Sequence, residues 1–371
     1  MNHGWEKKTL SEVCQKESSN LMQKNIDPEQ GLYPVYGANN IVGYLDYYVQ
    51  PKDYIGIIKD GSGVGRVNVY PKESSLLGTL QYIIPNDNMD LHYTAYVLQS
   101  MNLAKYASGA AIPHIYFKDY GKEKIGVPSL IKQKEIAEEL DKINELIEVK
   151  RSQLADLDLL AQSLFYEMFG VPFLNPMGWD IKAFGDLTDS INYGTSLPAT
   201  EGGQYPYLRM NNLTDNGYLD LSNLKYIDVP DEDVDKCLVK DGDILFNRTN
   251  SREKVGKTAL YNREDNMVIA GYIIRVRANR NILNPVFAVR YMNMPELKNH
   301  LRKICRGAVN QANINSKEMA AIPFLVPPIE LQNQFATNIK LIEEQKKRID
   351  SSITDLQTLL ASRMDYWFND I

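Results

Sequence analysis

The chain has 371 residues, a formal net charge of −6, 44% hydrophobic and 24% charged residues, which suits two or three globular domains with sizeable cores. Three scattered cysteines (Cys14, Cys237, Cys305) exclude a disulfide framework, and four histidines (His3, His92, His114, His300) show no metal-ligand spacing. With neither a secretory leader nor 18 consecutive apolar residues, a reduced, cytoplasmic, metal-free chain away from membranes is expected.

In chain order, a mixed region comes first. The alternating stretch YIGIIKDGSGVGRVNVY (54–70) reads as strands around a glycine-rich connection, and YTAYVLQSMNLAKYA (93–107) reads as a helix. Val127-Pro128 then bars any preceding helix from continuing. Beyond it, Ile136, Ile143, Leu157 and Leu164 recur at multiples of seven, with Lys150 the one polar interruption, beside a companion row of Leu140, Ile147, Leu154, Ala161 and Met168. This helix should end at Phe169-Gly170-Val171-Pro172. A second mixed region follows, with GYIIRVRAN (271–279) as a strand. After Val326-Pro327 the pattern returns at Phe335, Ile342, Ile349 and Leu356 and at Ile339, Ile353, Leu360 and Trp367, interrupted by Lys346 and Arg363.

A sustained 3.5-residue apolar period with charged flanks is a coiled-coil seam. Two such helices in equal register are expected to pair with each other. The expected plan is a mixed α/β domain at 1–128, a helix at 129–169, a second domain at 170–328 and a second helix at 329–371. Paired antiparallel, the helices would form a rod of roughly 57 Å with a domain at either end.

The chain also repeats itself. WEKKTLSEV (5–13) returns as WDIKAFGDL (179–187), YPVYGANN (33–40) as YPYLRMNN (205–212), and GYLD (43–46) as GYLD (217–220). VPSLIKQKEIAEELDKINEL (127–146) matches VPPIELQNQFATNIKLIEEQ (326–345), so the offset grows from 174 to 199 and the second copy carries insertions in its middle.

Catalytic motifs fail one by one. Gly256-Lys257-Thr258 lacks the earlier glycine of a phosphate loop, where Ser251 stands. Asn284-Pro285-Val286-Phe287 lacks the second proline of an adenine-methyltransferase loop and reads better as a helix start with proline at its first position. Pro230-Asp231 with Lys236 lacks the second nuclease acid, where Val234 stands. Asp60–Gly65 is not a nucleophile elbow but a connection whose glycines let backbone approach closely.

Donors suited to DNA are more plentiful. Asn247, Arg248, Asn250, Ser251, Arg252, Lys254 and Lys257 follow one predicted strand, and Lys59, Ser62 and Arg66 occupy the matching place in the first copy. Arg209 and Asn211 lie where both copies keep an asparagine pair, Asn39-Asn40 and Asn211-Asn212, which could equally cap a turn. Arginine can grip guanine, asparagine adenine, and lysine or serine a phosphate. The acidic net charge is no obstacle. Residues 129–169 hold 5 basic and 9 acidic side chains and 329–371 hold 5 and 7, which accounts for all of the −6.

In its whole length the chain resembles the specificity subunits of type I restriction-modification systems. The resemblance rests on Trp5 and Trp179, YPVYGANNIVGY (33–44), IKDGS (58–62), GDILFNRTNS (242–251) and IPFLVPPIELQNQF (322–335). It implies two target-recognition domains, each reading half of a bipartite site in double-stranded DNA. The helices would set the spacer and dock two modification (methyltransferase) subunits, to which restriction subunits can add. The chain itself would then be non-catalytic, with S-adenosylmethionine, ATP and magnesium held by its partners. One departure is IPHIYFKDY (112–120), which stands where the second copy keeps Gln311-Ala312-Asn313-Ile314. From the residues alone, a coiled-coil adaptor that ignores DNA and a DNA enzyme with an unfamiliar site remain alternatives.

Overall fold

A computed structural model describes residues 4–109, 112–307 and 311–368; His3 lies outside them. The chain divides into two compact units, Met1–Ser152 with Asp350–Ile371 and Gln153–Ile349, so each long helix is shared between them.

In the first unit, β1 (Glu6–Thr9) pairs antiparallel with β9 (Lys124–Val127), which joins the chain's opening to the strand before the first long helix. A four-stranded antiparallel sheet runs β2–β8–β5–β6 (Cys14–Ser18, Leu80–Pro85, Tyr54–Ile58, Val67–Tyr70). Its inner strand β5, YIGII, is buried at every residue, as a strand covered on both faces must be. A second sheet runs β4–β3–β7 (Ile41–Leu45, Tyr33–Tyr36, Ser75–Leu76).

The second unit repeats this plan strand for strand. β10 (Asp180–Ala183) pairs with β20 (Pro323–Val326). The larger sheet runs β11–β18–β14–β16 (Thr188–Tyr193, Ile273–Ala278, Ile244–Asn247, Thr258–Leu260), and the smaller β13–β12–β17 (Lys225–Ile227, Tyr205–Leu208, Val268–Ile269). A short ladder of β15 (Thr249–Asn250) with β19 (Ala312–Asn313) is added. The expected duplication is therefore a duplication of topology.

One landmark of that duplication is misplaced. The first GYLD forms the end of β4 and the residue after it, and Leu45 pairs with Tyr33. Its topological counterpart is β13, where Ile227 pairs with Tyr205, whereas the second GYLD lies in the connection before β13. There the Tyr218 hydroxyl meets Arg290, Lys346 and Glu343 instead of a strand partner. Four identical residues are too few to carry an alignment across an insertion. The predicted helix at 93–107 is also shorter: it runs Leu91–Ser100, and left-handed Asn102 separates it from a 3-10 turn at Leu103–Tyr106.

The long helices are Leu130–Phe169 and Ile329–Phe368. Each begins with the same clasp. Gln133, fully buried, donates to the carbonyls of Pro128 and Asn88 and accepts from the Asp90 amide. Gln332, equally buried, donates to Pro327 and Ile282 and accepts from the Asn284 amide. Asp90 and Asn284 in turn cap the helices Leu91–Ser100 and Pro285–Asn293, with Pro285 at the first position as expected.

Inside each unit the two long helices run antiparallel. In the first, Glu139 receives Arg363, which holds its carboxyl below the usual carboxylate range. Trp367 stacks on Trp5, and Phe368 meets Tyr93 edge-on. In the second, Lys346 donates to Asp158 at 2.7 Å, and Phe165 and Phe169 pack edge-on against Phe335 at 5.7 and 5.2 Å. Both polar interruptions of the second helix's seam thus meet an acid on the first helix. Every predicted seam position is buried or half-buried.

Candidate nucleic-acid interface

In the second unit the loop after β14 is closed at its neck, where the Asn247 amide donates to the Lys257 carbonyl and the Gly256 amide returns to Asn247. The β15–β19 ladder and a bond from the Ile314 amide to the Arg248 carbonyl tie it to the Gln-x-Asn-Ile segment. Beneath the neck, the Lys298 ammonium donates to the Gly256 carbonyl at 2.6 Å. Burial lowers its pKa to about 7; Asp215 opposes the shift, and Lys257 and Arg302 add to it.

Arg248 is the most constrained side chain here. Its Nη2 donates to Asn313 Oδ1 at 3.2 Å and its Nη1 to the Gly271 carbonyl at 3.4 Å, while the guanidinium lies 4.8 Å from the Tyr193 ring centre. Arg209 donates to the Asn223 carbonyl at 2.8 Å. Arg209, Asn211 and Arg248 line one cleft of about 810 Å3 together with Lys225, Tyr193 and Tyr272. Three cations and no carboxylate line that cleft, so it favours an anion despite the acidic chain. The buried Nε atoms of Arg209 and Arg248 have no partner among the described residues.

The other sequence candidates separate into two groups. Arg252 and Lys254 are exposed at the loop's tip beside half-buried Ser251 and Asn250, whose Oδ1 accepts from the Ser251 amide. Asn247 is fully buried as the last residue of β14 and accepts from the Thr249 amide, which removes it from any surface a duplex could touch. Lys257 is turned inward onto Asp215 at 3.0 Å. Asn212 is buried and closes its own turn, accepting from the Arg209 amide and donating to the Asp220 carbonyl, so of that pair only Asn211 is exposed.

The first unit offers the same frame with other side chains. Gly65 closes the loop by donating to the Ile58 carbonyl at a φ of 86°, and a side chain there would strike the backbone of Leu103 and Ala104. Ser62 and Arg66 are exposed, with Arg66 on Asn39 Oδ1 at 3.1 Å. Lys59 lies 3.8 Å from Asp60, which is bonded to His114 at 2.7 Å. Sequence reasoning missed Lys225, Tyr193, Tyr272 and His114. The first three come from the end of β11, the start of β13 and the turn before β18, with no shared spacing; the fourth was signalled only by its departure from the second copy. Among the described residues, no group of three or more His, Cys, Asp or Glu could hold a metal ion, and no helix is long and apolar enough to cross a membrane.

A family model described as the type I restriction modification DNA specificity domain matches residues 2–158 and 176–354. The EcoKI type I restriction enzyme specificity subunit of Escherichia coli K12 is 21% identical over 291 residues, 73% of this chain and 62% of that one. A Methanocaldococcus jannaschii chain named as the MjaX specificity subunit is 30% identical over 164 residues, 43% of this chain and 38% of that one. The matches thus span less than two thirds of these relatives' length. The crystal structure of a type I system S subunit from M. genitalium shares the fold, with a TM-score of 0.58 at 17% identity over 98% of this chain and 96% of that one.

Proposed function

Since the chain belongs to the type I restriction-modification DNA specificity family, we propose that it is the DNA-recognition subunit of such a complex and performs no catalysis itself. Each unit reads one half of a bipartite sequence in double-stranded DNA. The long helices set the unread spacer and dock two modification subunits, with restriction subunits joining them. S-adenosylmethionine, ATP and magnesium belong to those partners, and the assembly works in the cytoplasm. The observation that carries this reading is the duplicated frame, in which a glycine-assisted or cation-rich loop is held at the same place in each unit.

The test is methylation mapping with the chain reconstituted on its modification subunits. Adenine or cytosine methylation confined to a two-part sequence is expected, while methylation without a defined sequence would reject the reading. The isolated chain should bind DNA weakly, because residues 1–128 and 170–328 sum to only −1 and +1; tight, specific binding by it alone would contradict this. The ruler has its own test. Seven residues inserted after Ile147 and after Lys346, the equivalent place in the second copy, keep the seam in register. Each helix lengthens by about 10.5 Å, so the spacer should grow by roughly three base pairs. An active variant that keeps the original spacing would show that the helices are not the ruler.

A further inference from the structure

The departure in IPHIYFKDY occupies a defined place. Asp60 bridges to His114 in the first unit as Thr249 bridges to Asn313 in the second, and the Ile115 amide donates to Lys59 as the Ile314 amide donates to Arg248. His114 therefore stands where Asn313 stands, and Lys59 where Arg248 stands. The two frames use these positions differently. Asn313 spends its side chain internally, accepting from Arg248 and donating to Thr249 Oγ1 at 2.8 Å, which leaves the outward role to Arg248. In the first unit Lys59 turns to Asp60, and His114 keeps 40% of its side chain exposed. Its ring lies beside that of exposed Tyr116, with the Lys118 ammonium 5.2 Å from the Tyr116 centre. Next to it, Gly61 has open space where a side chain would project.

We propose that His114, oriented by Asp60, is a base-reading residue for the first unit's half-site, an inference that rests on the DNA-recognition reading above. A carboxylate 2.7 Å from Nδ1 can only accept, so Nδ1 carries the proton and Nε2 of the neutral ring is an acceptor. In the major groove an acceptor matches the amino group of adenine N6 or cytosine N4. The first unit thus reads an amino-bearing base from the bridge strand, where the second unit presents a donor, Arg248, from the loop.

Methylation mapping of the assembled complex over a randomised half-site library tests this. His114→Ala should slow modification of the wild-type sequence about tenfold and admit other bases at one position of one half-site. Asp60→Asn can donate to Nδ1, which moves the ring proton to Nε2; preference at that position should shift toward guanine or thymine. His114→Asn, the second copy's own residue, controls for folding and should assemble normally with the same position altered. Unchanged preference in all three variants, or equal slowing on every sequence, overturns the proposal. A wild-type complex that modifies no defined sequence would instead reject the functional reading, and this inference with it.

Discussion

The two units share one strand order and place their helix caps and buried glutamines alike, yet they differ where they would meet a ligand and where their cores close. The second core closes on an aromatic stack of Phe165, Phe169, Phe287 and Phe335, all fully buried. In the first, the positions matching Phe165 and Phe335 are half-buried Met364 and buried Ile136, beside Trp367 and Phe368. The loops diverge further: an eight-residue glycine turn in one unit, and in the other a longer charged loop with Lys298 beneath it. Shared backbone hydrogen bonds preserve a fold through duplication, while side chains that face a ligand or fill a core are free to change.

The core difference gives the largest expected effect. Phe165→Ala should destabilise the second unit by about 3–5 kcal/mol, the range for deleting a buried aromatic, whereas Met364→Ala should cost the first no more than about 2 kcal/mol. Chemical denaturation of the full chain would measure both, and equal losses would show that the cores are closed equivalently. Next is Arg248→Ala, expected to weaken specific binding by about 1–3 kcal/mol and to relax one base of the second unit's half-site only. Weakening that is uniform over both half-sites would make Arg248 a phosphate contact.

The pattern of the seam was legible because an apolar stripe every 3.5 residues has only one good use in water, burial against a matching stripe. Phe165 and Phe169 fell outside it, since at its end the helix is covered by its domain as well as by the other helix, and the buried face widens. The glutamine clasps were not legible at all: Gln133 and Gln332 sit among polar neighbours, and only the chain's path at the preceding proline makes them bury. Asn247 was misread for the opposite reason. It looked like the start of a polar loop but is the last residue of a fully buried strand.

A smaller effect concerns Lys298, on the helix Pro295–Ile304 beneath the second unit's loop. Its pKa, lowered to about 7 in the folded chain, lies below the unfolded value. Between about pH 7 and 10 the unfolded chain therefore binds more protons, and stability should rise with pH. Lys298→Met should flatten that slope in denaturation experiments; an unchanged slope would place its origin elsewhere. The smallest effects belong to Arg252→Ala and Lys254→Ala at the exposed tip. Each should lower affinity alike on all sequences and reduce the salt dependence of binding by about one unit, and a change in base preference from either would make it a reader.

By itself the sequence determined the duplicated plan, the start of each long helix, the end of the first and the seam, because each follows from local rules: a proline stop, a glycine end and apolar periodicity. Tertiary structure decided which donors remain available. Arg248 and Arg209 reach one cleft only because Gly271, Asn313, Asn223 and Tyr193 arrive from distant parts of the chain, and Lys257 is turned inward by Asp215 from another connection. A polar side chain's role depends on which partners its neighbours leave unsatisfied, and in this protein those neighbours are set by strand pairing rather than by proximity along the chain.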